Sequence, residues 1–312
     1  MIAAKMKNKS LATPRTVRDW ILWGETELDA AGVYFGHGTD NALDEAAWLV
    51  GSALALAPDQ LDAHADDALT AAQKTTVRDL FERRIQSRKP AAYLLKEAWF
   101  AGMKFFVDER VIVPRSLTGE FIREHFEPWV DAKRVHRMLD LCTGSGCMAI
   151  ACANNFPAAR VDAVDISADA LAVARVNVER HGLTNRVRLL QSDLFSALGH
   201  ERYDVIITNP PYVAHWEMST LPDEYRHEPN LALESGTDGL DAIIRILREA
   251  PAHLEPTGVL IAEVGNSNET LQAKFPDVPF LWLTTEMGDD SVFLLTATQL
   301  TDHHERFVVK HG

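Results

Sequence analysis

The sequence predicts a doubly wound, largely parallel α/β domain preceded by a small α-helical domain. Three observations predict it. From His136 onward, short β-branched runs alternate with segments of helical spacing. Glycine-rich and acidic loops follow successive strands. Residues 15–88 carry helical spacing only, broken by turn-rich stretches.

In the helical domain, Val17, Ile21, Gly24 and Leu28 share one face of a first helix. Leu43, Ala47, Val50 and Leu54 share a face of a second, and Val77, Phe81 and Ile85 of a third. "FGHGTDN" and "APDQ" lie between them as turns, so "GHGTDN" is helix-linking turn chemistry. Residues 96–114 change character. Their apolar and aromatic residues come in short runs around "AG" and "DE", predicting one or two hairpins and then a helix over 116–129.

The α/β pattern begins with "RMLDLCTG", the first strand, and "CMAIACANN", a helix. "RVDAVDIS" is the second strand. A helix over 168–181 follows, with Ser167 as N-cap and Gly182 past its end. "RVRLLQSD" and "YDVIITN" are the third and fourth strands, and a helix covers 238–250. "TGVLIAEVG" is the fifth strand and "NETLQAKF" a helix. "FLWLTTE" and "SVFLLTATQ" close the sheet. Only "MGDD" separates these last two, too little for a helical crossover, so they should pair antiparallel.

Composition bounds the function. Of 312 residues, 46% are hydrophobic, enough for a sizeable core. No apolar run approaches the ~18–20 residues of a membrane span. "MIAAKMKNKS" has lysines but no apolar stretch after it, so no secretory signal is expected and the location is cytoplasmic. Cys142, Cys147 and Cys152 lack CxxC spacing and a histidine cluster; they are expected as buried apolar residues, with no disulfide and no metal. The net charge is −14, and a polyanion partner would need a local basic patch against it. The arginine pairs Arg83 and Arg84, Arg134 and Arg137, and Arg186 and Arg188 are expected as solvated faces rather than a nucleic-acid footprint.

The loop after the first strand is "LDLCTGSGC". Gly144 and Gly146 let the backbone turn sharply and approach a ligand, and the next helix offers free N–H groups. Asp165 follows Gly146 by 19 residues, where an acid can bind ribose hydroxyls. Asp193 ends the third strand, with Leu194 and Phe195 after it, and can hold an adenine amino group and ring. The dinucleotide fingerprint G-x-G-x-x-G is incomplete, because Ala149 stands where its third glycine would be.

In order, "LDLCTGSG", "VDAVDIS", "SDLF" and "TNPPY" resemble the S-adenosylmethionine motifs of class I methyltransferases, whose fold implies seven strands with the last reversed. Across residues 17–298 the chain more narrowly resembles the protein-(glutamine-N(5)) methyltransferases of the HemK/PrmB type. "RKPAAYLLKEAWFAGMKFFVDERVIVPRS", "CTGSGC", "NPPYV", "EYRHEPNLAL" and "GTDGL" carry that likeness. "YFGHGTDN", "AWFAG" and "EYRHEP" are similar to the branch that modifies large-subunit ribosomal protein number three, rather than to the release-factor enzyme. The resemblance implies that S-adenosyl-L-methionine is the cofactor and a glutamine-bearing ribosomal protein the partner, without sequence-specific nucleic-acid binding or a membrane. It implies a helical substrate-recognition domain over 1–92, a hairpin and helix linker over 93–130 and a catalytic domain over 131–312. It implies cofactor contacts at Thr143, Gly144, Ser145, Gly146, Asp165, Ile166, Asp193, Leu194 and Asn209. Catalytic roles fall on Asn209, Pro210 and Tyr212, and substrate contacts on Pro211, Pro114, Arg115 and Glu228. Ser116-Leu117 departs from the family pattern, which has proline after the serine.

Chemistry gives "NPPY" a reason. An amide nitrogen is a poor nucleophile, because its lone pair is delocalised, whereas a sulfonium methyl is already electrophilic. The site must therefore orient and polarise the amide. An NH₂ group wants two acceptors: the Asn209 side-chain oxygen and the Pro210 carbonyl supply them. Pro210 and Pro211 hold both rigid, and Tyr212 can lie against the amide and near the sulfonium. The motif equally suits the exocyclic amine of adenine. Residues 213–234 form a long connection of the kind used for binding, within which Glu228 can meet Arg115. Glu263, ending the fifth strand, can back up the NPPY loop. His227 is not needed as a base, since water can take the proton lost after transfer. A nucleic-acid adenine methyltransferase would need a basic cleft. A mere binding module would show a damaged cofactor loop or NPPY, and both are intact. A dehydrogenase would leave NPPY without a role.

Overall fold

The computed structural model describes residues 14–308, and the expectation for residues 1–10 lies outside them. The chain divides after Leu95 into two compact units.

In the first unit, α1 (Val17–Ala31) and α3 (Ala71–Ser87) each start with a capping box, Thr16 with Asp19 and Thr70 with Gln73. Between them lies α2 (Ala42–Leu54), capped by Asn41; α4 (Ala91–Leu95) follows α3. Trp20, Leu28, Leu49, Val50, Val77 and Phe81 form the core. Gly24 is required there, because a Cβ would stand 2.3 Å from the Phe81 ring. Two expectations are corrected. The buried face of α2 is Ala42, Glu45, Ala46, Leu49 and Val50, with Leu43 left 42% exposed. That face carries Ala42, Ala46, Leu49 and Val50 into the core and brings Glu45 to Arg84, whose Nε is 2.7 Å from Glu45 Oε1. Arg84 is therefore a buried partner of Glu45 and not a solvated residue, while Arg83 is exposed. Burial pushes the Glu45 carboxyl up, against the pull of Arg84.

The second unit opens with one hairpin, β1 (Ala98–Phe100) against β2 (Met103–Phe105). Residues 106–114 form no strand. The expected helix over 116–129 shrinks to α5 (Thr118–Arg123), because His125 and Phe126 take left-handed backbone and Pro128 lacks a donor. Then come β3 (Arg137–Leu141), α6 (Cys147–Asn155), β4 (Arg160–Asp165), α7 (Ala168–Arg180), β5 (Val187–Gln191) and β6 (Tyr203–Thr208). After them lie α8 (Asp241–Glu249), β7 (Leu254–Glu263), α9 (Asn268–Lys274), β8 (Leu281–Leu283) and β9 (Val292–Thr296). Ser167 caps α7 as expected. The last strand stops at Thr296 rather than running on, because Thr296 and Gln299 form a capping box. That box starts α10 (Ala297–Asp302), and α11 (His304–Val308) follows.

The seven strands stand in the order β5-β4-β3-β6-β7-β9-β8. β9 alone runs antiparallel to its neighbours, as the short "MGDD" connection predicts. Apolar layers cover both faces, one around Met138, Ile150 and Val205, the other around Leu139, Ile206 and Leu260. The chain leaves β3 toward β4 and returns on its other side as β6, so the switch point lies between β3 and β6. Arg137 and Arg188 converge on Asp162 at 3.1 and 2.7 Å, and Arg186 donates to the Phe156 and Ala159 carbonyls. Arg186 is thus a half-buried partner within the fold rather than the solvated residue expected; Arg137 and Arg188 pair with Asp162 while their side chains stay 41% and 49% exposed, and Arg134 is exposed. Cys147 and Cys152 are buried, Cys142 partly so, and all three are free. Burial pushes the Cys147 thiol up to about 12. Among the described residues, no helix is long and apolar enough to cross a membrane.

Candidate active site

Parallel strands on either side of a switch point deliver their following loops to one crevice. The glycine loop after β3 and the NPPY stretch after β6 meet there, and Thr208 Oγ1 donates to the Leu141 carbonyl at 2.9 Å. Backbone at Cys142, Gly144 and Gly146 has positive φ, 59°, 54° and 79°. A Cβ on Gly144 would meet nothing within 4 Å, so this bend presents bare backbone to open space.

Two buried or half-buried carboxylates hold the loop. Asp140 Oδ2 accepts from Thr143 Oγ1 at 2.6 Å and from the Ala149 amide at 3.0 Å. Burial pushes the Asp140 carboxyl up to about 7. Asp165 accepts from the Gly144 and Ser167 amides, both at 2.9 Å, and its carboxyl is also raised by burial.

A cavity of about 330 Å³ opens at these strand ends, a size usual for small-ligand sites. Gly144, Asp165, Ile166, Asp193, Leu194, Asn209 and Pro211 line it. Thr143, Ser145 and Gly146 lie behind it, the Thr143 hydroxyl turned to Asp140 and Gly146 packed on Ala174. Asp193 meets Arg245 of α8 at 3.0 Å. The sequence reasoning missed Arg245 and the walls formed by Arg110, Val111 and Ile112 and by Pro229, Leu231 and Glu234. Nothing in their spacing marks them, since folding alone brings them to the strand ends.

A second cavity, about 140 Å³, adjoins it and is lined by Arg115, Pro210, Tyr212, Leu221, Tyr225 and Gly265 among others. Asn209, Ile112 and Ala232 line both. Tyr212 is fixed from beneath. A Cβ on Gly265, at φ +49°, would stand 2.4 Å from its ring, and Ser267 Oγ donates to its carbonyl at 3.1 Å. Burial, then the nearby Glu263 charge, pushes the Tyr212 hydroxyl up. Arg115 is gripped by Glu228 through two bonds of 2.5 and 2.7 Å, and Glu228 also accepts from the Val113 amide at 2.9 Å. The Arg115 guanidinium lies 5.5 Å from the Tyr225 ring centre. Arg226 pairs instead with Asp223. Buried Glu263 accepts from Ser116 Oγ at 2.6 Å and the Leu117 amide at 2.9 Å, which anchors the stretch after Arg115. Pro114 and Glu228 are buried outside both linings.

The larger cavity fits S-adenosylmethionine by the chemistry of its lining: a carboxylate that can accept from ribose hydroxyls, apolar faces at Ile166 and Leu194, and bare backbone at Gly144. A seven-strand sheet with one reversed strand and this pair of strand-end loops defines a class I S-adenosylmethionine-dependent methyltransferase. The family model of the methyltransferase small domain matches residues 122–223, and that of the PrmC N-terminal domain residues 19–95. The ribosomal protein uL3 glutamine methyltransferase of Bordetella pertussis is 49% identical over 95% of this chain and 99% of its own. Its namesake in Francisella tularensis subsp. tularensis is 48% identical over 94% and 93%. The chain belongs to the family of ribosomal protein uL3 glutamine methyltransferases. Among solved structures, a methyltransferase from Pyrococcus furiosus aligns over 71% of this chain and 96% of its own, at 20% identity and a TM-score of 0.46.

Proposed function

We propose that this chain methylates the side-chain amide nitrogen of a glutamine in ribosomal protein uL3, using S-adenosylmethionine. One observation carries the chemistry: Asn209 stands in the wall shared by the two cavities. A group placed there touches both a methyl donor in one and an amide in the other. Bound in the larger cavity, S-adenosylmethionine supplies an electrophilic methyl group. Gly144, Asp165, Ile166, Asp193 and Leu194 hold it, with Thr143, Ser145 and Gly146 supporting the loop from behind.

The chain's own residues do the rest. The Asn209 side-chain oxygen and the Pro210 carbonyl accept from the glutamine NH₂ and turn its nitrogen toward the larger cavity. Pro210 and Pro211 keep these acceptors rigid. Tyr212, seated on Gly265, forms the flat wall against the amide. Its hydroxyl stays protonated, so no base is drawn from it. Once methylated, the nitrogen loses one proton to water. Arg115, Glu228 and Pro114 act on the substrate side by holding the wall of the smaller cavity.

The helical unit before Leu95 recognises the protein target, because an acidic chain suits a basic ribosomal protein. A ribosomal-protein substrate supports a cytoplasmic location. The acidic balance does not favour nucleic acid as the substrate. To test this, the purified chain is incubated with methyl-labelled S-adenosylmethionine and, separately, with ribosomal proteins, RNA and DNA. Label on one uL3 glutamine, lost in Asn209→Ala, is expected. Label on adenine would overturn the assignment.

A further inference from the structure

Asn177, on α7, has no exposed surface. A buried side-chain amide brings two donors and an acceptor that must be matched. Here backbone atoms of two distant segments match them. Nδ2 donates to the Phe106 and Ser145 carbonyls, both at 2.9 Å, and Oδ1 accepts from the Phe106 amide at 2.7 Å.

Each segment leads to the larger cavity. Ser145 is the centre of the glycine loop, whose Gly144 lines it. Phe106 opens the strandless stretch that reaches the same cavity at Arg110, Val111 and Ile112. One side chain thus ties two walls of the cavity together from behind. Ala174 of α7 and its C-cap residue, His181, serve the same joint. Gly146 packs on Ala174, whose Cβ would be 3.2 Å from an added methyl, and His181 Nε2 is hydrogen-bonded to the Lys104 carbonyl at 3.0 Å.

We infer that Asn177 is a positioning residue that sets the width of the S-adenosylmethionine cavity, fixing the glycine loop against the 106–112 wall. This rests on the cofactor assignment made above. The residue type is dictated by the geometry. Aspartate offers no donor to either carbonyl and sets a charge against both. Alanine leaves two carbonyls and an amide buried without partners. Either change frees the two walls from each other without touching a residue that lines the cavity.

The full chain, Asn177→Asp, Asn177→Ala and a Val178→Ala control are titrated calorimetrically with S-adenosylhomocysteine, with thermal unfolding alongside. Val178 is a buried neighbour on α7 and shares none of these bonds. Both Asn177 variants should bind about tenfold more weakly or worse, as misplacement of a supporting shell does. Val178→Ala should lose Tm yet keep the unmodified chain's Kd. In kinetics the loss should fall on the KM for S-adenosylmethionine, with kcat largely restored at saturation. Should the aspartate variant not fold, the alanine variant carries the decision. Asn177 variants that bind as tightly as Val178→Ala overturn the inference and leave Asn177 a packing residue. An unmodified chain that fails to bind S-adenosylhomocysteine overturns the cofactor assignment, and this inference with it.

Discussion

The larger cavity, proposed to hold the cofactor, and the smaller one, proposed to take the acceptor amide, are neighbours built in different ways. Around the first, most bonds that shape the loop are local or run between adjacent strands, Thr143 to Asp140 and Gly144 to Asp165, 21 residues apart, with Asn177 of α7 adding one to Ser145 at 32. Around the second, Arg115 meets Glu228 at a separation of 113 residues, and Leu117 meets Glu263 at 146. Ordinary α/β architecture therefore produces the strand-end floor of the larger cavity, since any strand of such a sheet ends in a loop at the crevice, while its outer walls come from residues 110–112 and 229–234. The acceptor half exists only when segments before and after the sheet's centre have both docked. Damage to the second should spare the first, and that separation can be measured.

Glu228→Ala should have the largest effect. It leaves the largely buried Arg115 charge without its partner, at a cost of about 3–5 kcal/mol in stability. Urea unfolding would show it. The neutral pair Arg115→Met with Glu228→Gln should recover much of that stability while the KM for the protein substrate stays raised. A double variant with an unchanged KM would mean the pair does not shape the acceptor cavity. Next comes Asn209→Ala, which removes the acceptor proposed to orient the reacting amide. We expect kcat to fall about 10²–10³-fold, the range for losing one such group. Affinity for S-adenosylhomocysteine should change far less, and an equal loss in both would erase the distinction between the two halves.

Gly265→Ala is a smaller perturbation confined to the acceptor side. The new methyl must displace the Tyr212 ring, and φ +49° adds strain. A drop of about tenfold in kcat/KM for the protein, with cofactor affinity retained, is the expected result. The last effect lies on the larger cavity's side and is read as a slope per pH unit. Asp140 titrates at about 7 when folded, against an ordinary 3.8. Its folded value is raised, so its contribution to stability is complete below about 3.8 and is lost as pH rises to about 7. Asp140→Asn should remove that dependence, flattening the stability curve in this window by at most roughly 1.4 kcal/mol per pH unit. Denaturant melts at several pH values would test it; an unaltered slope would show that other buried carboxyls carry the dependence.

Much of the cofactor half was legible beforehand. A β-branched run, a glycine turn and an acid at the next strand end are close in sequence, and each follows from local geometry. Gly144, Asp165, Asp193 and Asn209 were found that way and share one cavity. Arg110, Ile112 and Arg245 were not, because a wall residue has no pattern of its own. The second face of misreading was charge. Arg84 looked like a surface residue because arginine usually is one. Its partner, Glu45, is too distant in sequence to be recognised as such, as is the Asp162 partner of Arg188, whose side chain stays half exposed. The C-terminal helices were missed for a different reason. The capping signal of Thr296 and Gln299 was present but lay within a run that also reads as strand.

By itself the sequence determined the alternation of strands and helices, the reversed final strand and the residue types at each strand end. These depend on residues within a turn or two of one another, where backbone sterics and periodicity act directly. Tertiary structure decided which buried charges pair, that Asn177 joins Phe106 to Ser145, and that Gly265 seats Tyr212. The physical reason is that a buried polar or closely packed group is satisfied by whatever folding brings to it. Residue type states the need, and only the folded chain supplies the partner.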